Sequence, residues 1–141
     1  MRKTLIFFLI CSFIFVISAC NSTKSQEEEK YIMNASYSYG GDLEKTIISY
    51  EITISGTEEV IENIDAYEVL INQEYSDLML ENGPHNPHKD LGEEAYFKVE
   101  GNFVFDTSGK TKEEIDEMNL LQGIRLIDKD ENEEVLKFHK N

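Results

Sequence analysis

From residue 31 onward, hydrophobic and polar side chains alternate with a period of two. In the clearest stretch, residues 48–54, isoleucine or tyrosine occupies each even position and a polar residue occupies each odd one. Such alternation is typical of strands with one face in a core and the other in solvent. It predicts strands at residues 31–39, 48–54, 67–71, 78–80, 97–105, 124–127 and 135–138. We expect the first strand to break at Gly40-Gly41 and the fourth to end at an Asn82-Gly83-Pro84 turn.

One segment departs from this period and predicts a helix. Thr111 precedes Glu114 by three residues, which is the spacing of a capping box. Ile115 and Met118 then lie three residues apart, on one face of a helix. The pattern indicates a short helix of about two turns before the sixth strand.

Short strands separated by turn residues indicate a mostly β fold, and their number favours an antiparallel sandwich. A helical turn before the penultimate strand resembles the connection that crosses between sheets in immunoglobulin-like domains. The resemblance is one of layout, because the chain has no Trp and so lacks the Cys–Trp–Cys core of antibody domains. We therefore expect an antiparallel immunoglobulin-like sandwich of about seven strands, with one short helix, over residues 31–141.

The N-terminus carries the pattern of a secretory signal. Arg2 and Lys3 precede an apolar run over residues 5–17, interrupted only by Ser12. This length fits the apolar core of a signal peptide, whereas a transmembrane helix needs about 20 apolar residues.

The end of this run, Ile17-Ser18-Ala19-Cys20, resembles the lipobox of bacterial lipoproteins. The resemblance implies cleavage between Ala19 and Cys20 and a diacylglyceryl group on the Cys20 thiol. It divides the chain into a signal peptide (1–19), a lipidated cysteine with a flexible tether (20–30) and a domain (31–141). The alternative is ordinary signal cleavage that leaves Cys20 as a free thiol. The lipoprotein interpretation predicts a lipid-anchored protein on the extracytoplasmic face of the cell membrane.

The composition describes an acidic mature chain. The 141 residues include 13 Lys or Arg and 28 Asp or Glu, a formal net charge of −15. Loss of residues 1–19 would remove Arg2 and Lys3, leaving 11 basic residues and a net charge of −17. Nucleic-acid phosphates require clustered basic side chains, so we expect no nucleic-acid partner. Residues 21–30 contain no hydrophobic side chain, which indicates a solvated tether.

Two patterns are candidate metal sites. The spacing of Asp128, Asp130, Asn132 and Glu134 resembles the start of a calcium loop, although Glu133 replaces the required glycine and His139 replaces the final glutamate. The alternative is a solvated hairpin loop, and calcium binding would be weak. His85 and His88 also lie close in sequence, but two prolines forbid a helix through them, which favours a mobile polar loop.

No sequence motif points to catalysis. The catalytic motifs G-x-S-x-G, S-x-x-K and H-E-x-x-H are absent. Gly109-Lys110-Thr111 matches the end of a phosphate loop, but Val104 stands where its first glycine should be. We therefore expect a non-enzymatic module without a cofactor.

The expected function is a lipid-anchored binding or interaction module held to the membrane through Cys20. One alternative is an acidic receptor or immunity lipoprotein that captures cationic peptides, because the negative charge would attract them. A second alternative is a weak metal-binding accessory protein. Tyr31, Tyr37 and Tyr39 share one face of the first strand, a pattern found both in binding surfaces and in ordinary sandwich strands.

Overall fold

The computed structural model describes residues 29–42 and 44–138. Its seven strands are β1 (Ile32–Gly41), β2 (Lys45–Ser55), β3 (Ile64–Ile71), β4 (Met79–Asp90), β5 (Tyr96–Asp106), β6 (Leu121–Asp128) and β7 (Glu133–Lys137). Two short α-helices, α1 (Glu58–Glu62) and α2 (Lys112–Glu117), and a 3-10 helix (Gln73–Leu78) connect them.

The strands form two antiparallel sheets. The first has the order β1-β2-β5-β4 and the second β3-β6-β7. This order is that of a constant-type immunoglobulin sandwich. The predicted fold class is therefore confirmed. The expectation of a single helix is wrong, because α1 and the 3-10 helix are also present. Each of these two helices is too short to give a helical hydrophobic period in the sequence.

The core lies between the sheets and is built from the strand faces that the alternation predicts. Ile48, Ile52 and Ile54 of β2 are fully buried, as are Phe105 of β5 and Ile124 of β6. The buried hydrophobic residues form a single cluster to which both sheets contribute. Removal of this apolar surface from water is the main favourable contribution to folding.

Helix α2 connects β5 of the first sheet to β6 of the second, as the sequence predicts. The Glu114 backbone N–H donates to the Thr111 hydroxyl at 3.2 Å, and the Thr111 backbone N–H donates to the Glu114 carboxylate at 2.7 Å. The capping box is therefore present. Ile115 and Met118 are both buried and fix the helix against the core.

Of the two predicted chain breaks, the first is confirmed and the second is wrong. Strand β1 ends at Gly41, which adopts a φ of 93°. Strand β4 continues through Pro84 and Pro87 to Asp90, with a register shift between Asn82 and His85. Proline is tolerated here because β4 is an edge strand and its prolines lie at or near this irregularity.

Candidate functional site

The predicted lipidation and cleavage residues, Ala19 and Cys20, lie outside the described residues, as do Ile17 and Ser18. Within the described part of the chain, no helix is both long and apolar enough to cross a membrane. The anchor therefore stays a prediction from the sequence.

The final hairpin is organised around the Asp128 side chain, which is 7% exposed. Its carboxylate accepts the backbone N–H groups of Asn132 and Asp130 at 2.9 and 3.0 Å. It also accepts the Asn132 side-chain amide, at 3.1 Å to each oxygen. These hydrogen bonds, the largest contribution coming from Asn132, lower the pKa of Asp128. Asp128 therefore acts as the acceptor that closes this turn.

The four residues of the predicted calcium site are only partly brought together. Asp128 and Asn132 are in contact, and the Lys30 ammonium group lies 3.9 Å from the Asp128 carboxylate and 4.0 Å from that of Glu134, so a cation of the protein itself stands beside these two carboxylates. Over residues 29–42 and 44–138, no group of three or more His, Cys, Asp or Glu side chains is arranged to hold a metal ion. Calcium binding at this loop would have to displace the hydrogen bonds of Asp128.

The two histidines of β4 are not in a mobile loop and do not share a face. His85 is paired in register with Gly101 and His88 with Lys98, and these positions of β5 have opposite parity. His85 therefore faces the second sheet, where its ring lies 5.4 Å from that of Phe103. His88 lies on the outer face, against Tyr96. A metal ion shared by these two histidines is incompatible with this arrangement.

His85 is held by a hydrogen-bonded arrangement that spans three strands. The Tyr50 hydroxyl of β2 donates to Nδ1 of His85, and Nε2 of His85 donates to the Asn82 side-chain oxygen. Burial lowers the pKa of His85 and raises that of Tyr50. Both rings are therefore neutral near pH 7, with Nε2 as the protonated nitrogen of His85.

Gly101 of β5 makes this contact geometrically feasible. A Cβ atom at Gly101 would collide with the Tyr50 hydroxyl oxygen and lie 2.8 Å from the adjacent ring carbon. The Tyr50 ring therefore occupies the space that any other residue at this position would fill. A glycine in a strand interior is a signal of such close approach.

A cleft of about 430 Å³ opens beside His85, between the edge strands of the two sheets. One wall carries Asn82, His85 and Phe103, and the facing wall carries Tyr67 and Val69. The ring of Tyr67 also packs against Phe97 at 5.3 Å, which couples the cleft to the core. The cleft is thus aromatic and largely uncharged, apart from Glu68 at its margin.

A larger groove, of about 1120 Å³, lies at the end of the sandwich where the tether enters. We call it the tether-end groove. Its apolar surface comes from Ile32, Val60 and Ala95, and its charges are four glutamates and one lysine. It is lined by Glu29, Lys30, Ile32, Ser55, Gly56, Thr57, Glu58, Val60, Gly92, Glu93, Glu94 and Ala95.

Three of the four glutamates that line the tether-end groove form no ion pair within the described residues. None of Glu58, Glu93 and Glu94 forms a salt bridge with a described lysine or arginine. Lys30, the one cation in the lining, lies 3.9 Å from Asp128 and 4.0 Å from Glu134, on the side of the second sheet. The groove therefore combines an apolar surface with unneutralised negative charge.

The three tyrosines predicted to share one face of the first strand have two different environments, and Tyr31 lies just before β1. Tyr31 is buried, at 5% exposure, whereas Tyr37 and Tyr39 are 41% and 37% exposed. The Tyr37 ring stacks on Phe138 at 6.0 Å and meets Tyr39 edge-on at 5.9 Å. Tyr31 is therefore a core residue, while the other two form an exposed aromatic pair along β1.

Neither the cleft nor the tether-end groove is predicted by the sequence. Among the cleft residues, His85 is the one sequence-predicted site candidate, and Gly101, a glycine inside a hydrophobic strand, is the signal that would locate its contact with Tyr50. The tether-end groove gathers three segments that are far apart in sequence, so no local motif identifies it.

Comparisons with protein-family models, curated proteins and solved structures give no match for this chain.

Proposed function

We propose that this protein is a lipid-anchored, extracytoplasmic, non-enzymatic binding module that captures cationic amphipathic peptides or protein segments in the tether-end groove. The observation that carries the proposal is the combination of three unneutralised glutamates, Glu58, Glu93 and Glu94, with an apolar surface in one groove of about 1120 Å³.

The chemistry of the groove supports an amphipathic ligand. Ile32 is 57% exposed and lines the groove together with Val60, so apolar ligand side chains gain by leaving water there. Lysine or arginine side chains of the same ligand would approach Glu93 and Glu94. The negative charge of the whole chain, −15, would also attract such a ligand before contact.

The position of the groove supports action close to a membrane. Glu29 and Lys30 line the groove and also end the tether. If Cys20 carries the lipid, the tether of residues 21–30 keeps the groove within about 35 Å of the anchor, the length of ten extended residues. Two acyl chains would hold the protein stably at the bilayer, where cationic membrane-active peptides accumulate.

Calorimetry on two charge-matched variants tests the groove. The probe is an amphipathic peptide of lysine and leucine, titrated into the full chain in a neutral detergent. Replacement of Glu93 and Glu94 by glutamine should weaken binding about fivefold or more, since each exposed ion pair contributes up to about 1 kcal/mol. Glu74→Gln with Asp77→Asn, in the 3-10 helix at the opposite end, removes the same charge and should have a smaller effect. Equal weakening by both variants would contradict a site in the groove.

Cell fractionation tests the anchor separately. Cys20→Ser should move the protein from the membrane fraction to a soluble extracytoplasmic fraction, because the thiol that carries the lipid is lost. Retention in the membrane at the normal mature size would show that the lipoprotein assignment is wrong.

A further inference from the structure

Each sheet of the sandwich ends in two edge strands, and three of these four edges carry features that prevent pairing with another strand. An exposed edge offers unpaired N–H and C=O groups, which proteins block with prolines, charges, bulges or short length. β4 contains two prolines and two register shifts. β3 also has two register shifts. β7 has five residues, of which Glu133, Glu134 and Lys137 are charged.

The fourth edge, β1, has none of these protections. Its ten residues, IMNASYSYGG, include no charged residue and no proline, in a chain that is 29% charged. β1 pairs with β2 over its whole length without a register shift. Ile32, Tyr37 and Tyr39 are among the most exposed large hydrophobic residues of the described chain. A regular, neutral edge of this kind is a template for strand addition.

We propose that β1 pairs antiparallel with β1 of a second copy of this chain, which joins the two four-stranded sheets about a twofold axis. Directly opposite residues of an antiparallel pair lie on the same face, so the twofold axis must pass midway between the two copies of one residue. The proposed register places Ser36 opposite itself, at the middle of the neutral strip. Lys30 of each copy, just before β1, then lies opposite Asp42 of the other, just after β1, where one Asp42 carboxylate oxygen also accepts the backbone N–H groups of Glu44 and Lys45.

This register also explains how two strongly acidic chains can associate. Each copy has a net charge of −15, so most pairs of surfaces repel each other. The strip from Ile32 to Gly41 is neutral, and the Lys30–Asp42 pairs at its ends bring opposite charges together. To form this pair, Lys30, whose side chain is 43% exposed, would have to leave long contacts with the buried Asp128 at 3.9 Å and with Glu134 at 4.0 Å, and its position 4.9 Å from the Tyr31 ring centroid. The proposal does not depend on the peptide-binding function.

Cysteine cross-linking of the full chain in detergent tests the pairing and its register. Ser36→Cys should form a disulfide-linked dimer under mild oxidation, because the two copies of residue 36 are opposite each other. Two variants are matched controls. Ser38→Cys would face Asn34 of the other copy and not a second cysteine, and Ser49→Cys lies on the interior strand β2, where Ser49 is paired with Ser38 of its own chain. The native chain, with Cys11 and Cys20, gives the background.

A charge-swap experiment provides an independent readout. Ser36→Lys should abolish the non-covalent dimer in sedimentation equilibrium, because two like charges would face each other. Ser36→Asp should do the same, and a mixture of the two variants should restore dimers. Ser49→Lys should leave the dimer intact. The proposal is overturned if Ser36→Cys gives no more dimer than the controls, if it links to a different protein, or if mixing restores nothing.

Discussion

The Tyr50 hydroxyl group reaches across Gly101 to donate a hydrogen bond to Nδ1 of His85. This contact links β2 to β4 over the intervening strand β5, in addition to the backbone pairing of the sheet. It also orients His85 toward the cleft between the sheets. The arrangement depends on a residue without a side chain at position 101.

Gly101→Ala should therefore lower the free energy of unfolding by about 1–3 kcal/mol, because the added methyl group collides with the Tyr50 ring inside a packed face. Gly40→Ala is the matched control, since its Cβ would meet only the Ile47 carbonyl oxygen, at 3.9 Å. Urea unfolding of both variants measures the difference. Equal losses in the two variants would contradict the close approach at Gly101.

Protonation of His85 should destabilise the fold. Burial lowers its pKa in the folded state below the ordinary value of about 6.5. Above pH 6.5 the ring is neutral in both states. As pH falls below 6.5, the unfolded chain binds the proton first, so the free energy of unfolding falls until the folded pKa is reached.

Urea unfolding at about pH 7.5 and about pH 5.5 tests this effect. His85→Gln should be less stable than the native chain at the higher pH but should lose less stability on acidification. His88→Gln, on the outer face, should keep the native pH dependence. A His85→Gln variant with an unchanged pH dependence would contradict a buried neutral histidine.

Asp128 should stabilise the final hairpin without calcium. Asp128→Ala removes the acceptor of four hydrogen bonds and should lower the melting temperature. Asp130→Ala should change it little, since only the backbone of Asp130 takes part in this hydrogen-bond set. Calcium at about 5 mM, above the dissociation constants of about 0.1–1 mM of weak extracellular sites, should leave the native melting temperature unchanged. A calcium-dependent rise that Asp128→Ala abolishes would instead support a metal site.

The sequence predicts the sandwich because local patterns determine it. Alternation locates each strand face, and Thr111 with Glu114 locates α2. The course of β4 is not predictable in this way, because Pro84 and Pro87 signal a turn unless the strand is known to lie at an edge. The tether-end groove is not predictable from local patterns either, because it depends on which strands pair. Ser55 of β2 is paired with Ile32 of β1 on one side and with Tyr96 of β5 on the other.

The salt dependence of peptide binding tests the central claim most directly. The native full chain is titrated with the lysine–leucine peptide at about 0.1 M and about 1 M salt, where the Debye length falls from about 10 Å to about 3 Å. Electrostatic capture predicts binding that weakens about tenfold or more at high salt, with no binding of a glutamate–leucine peptide at either concentration. Binding that is equal at both salt concentrations, or that accepts both peptides, would contradict capture of cationic ligands by this acidic domain.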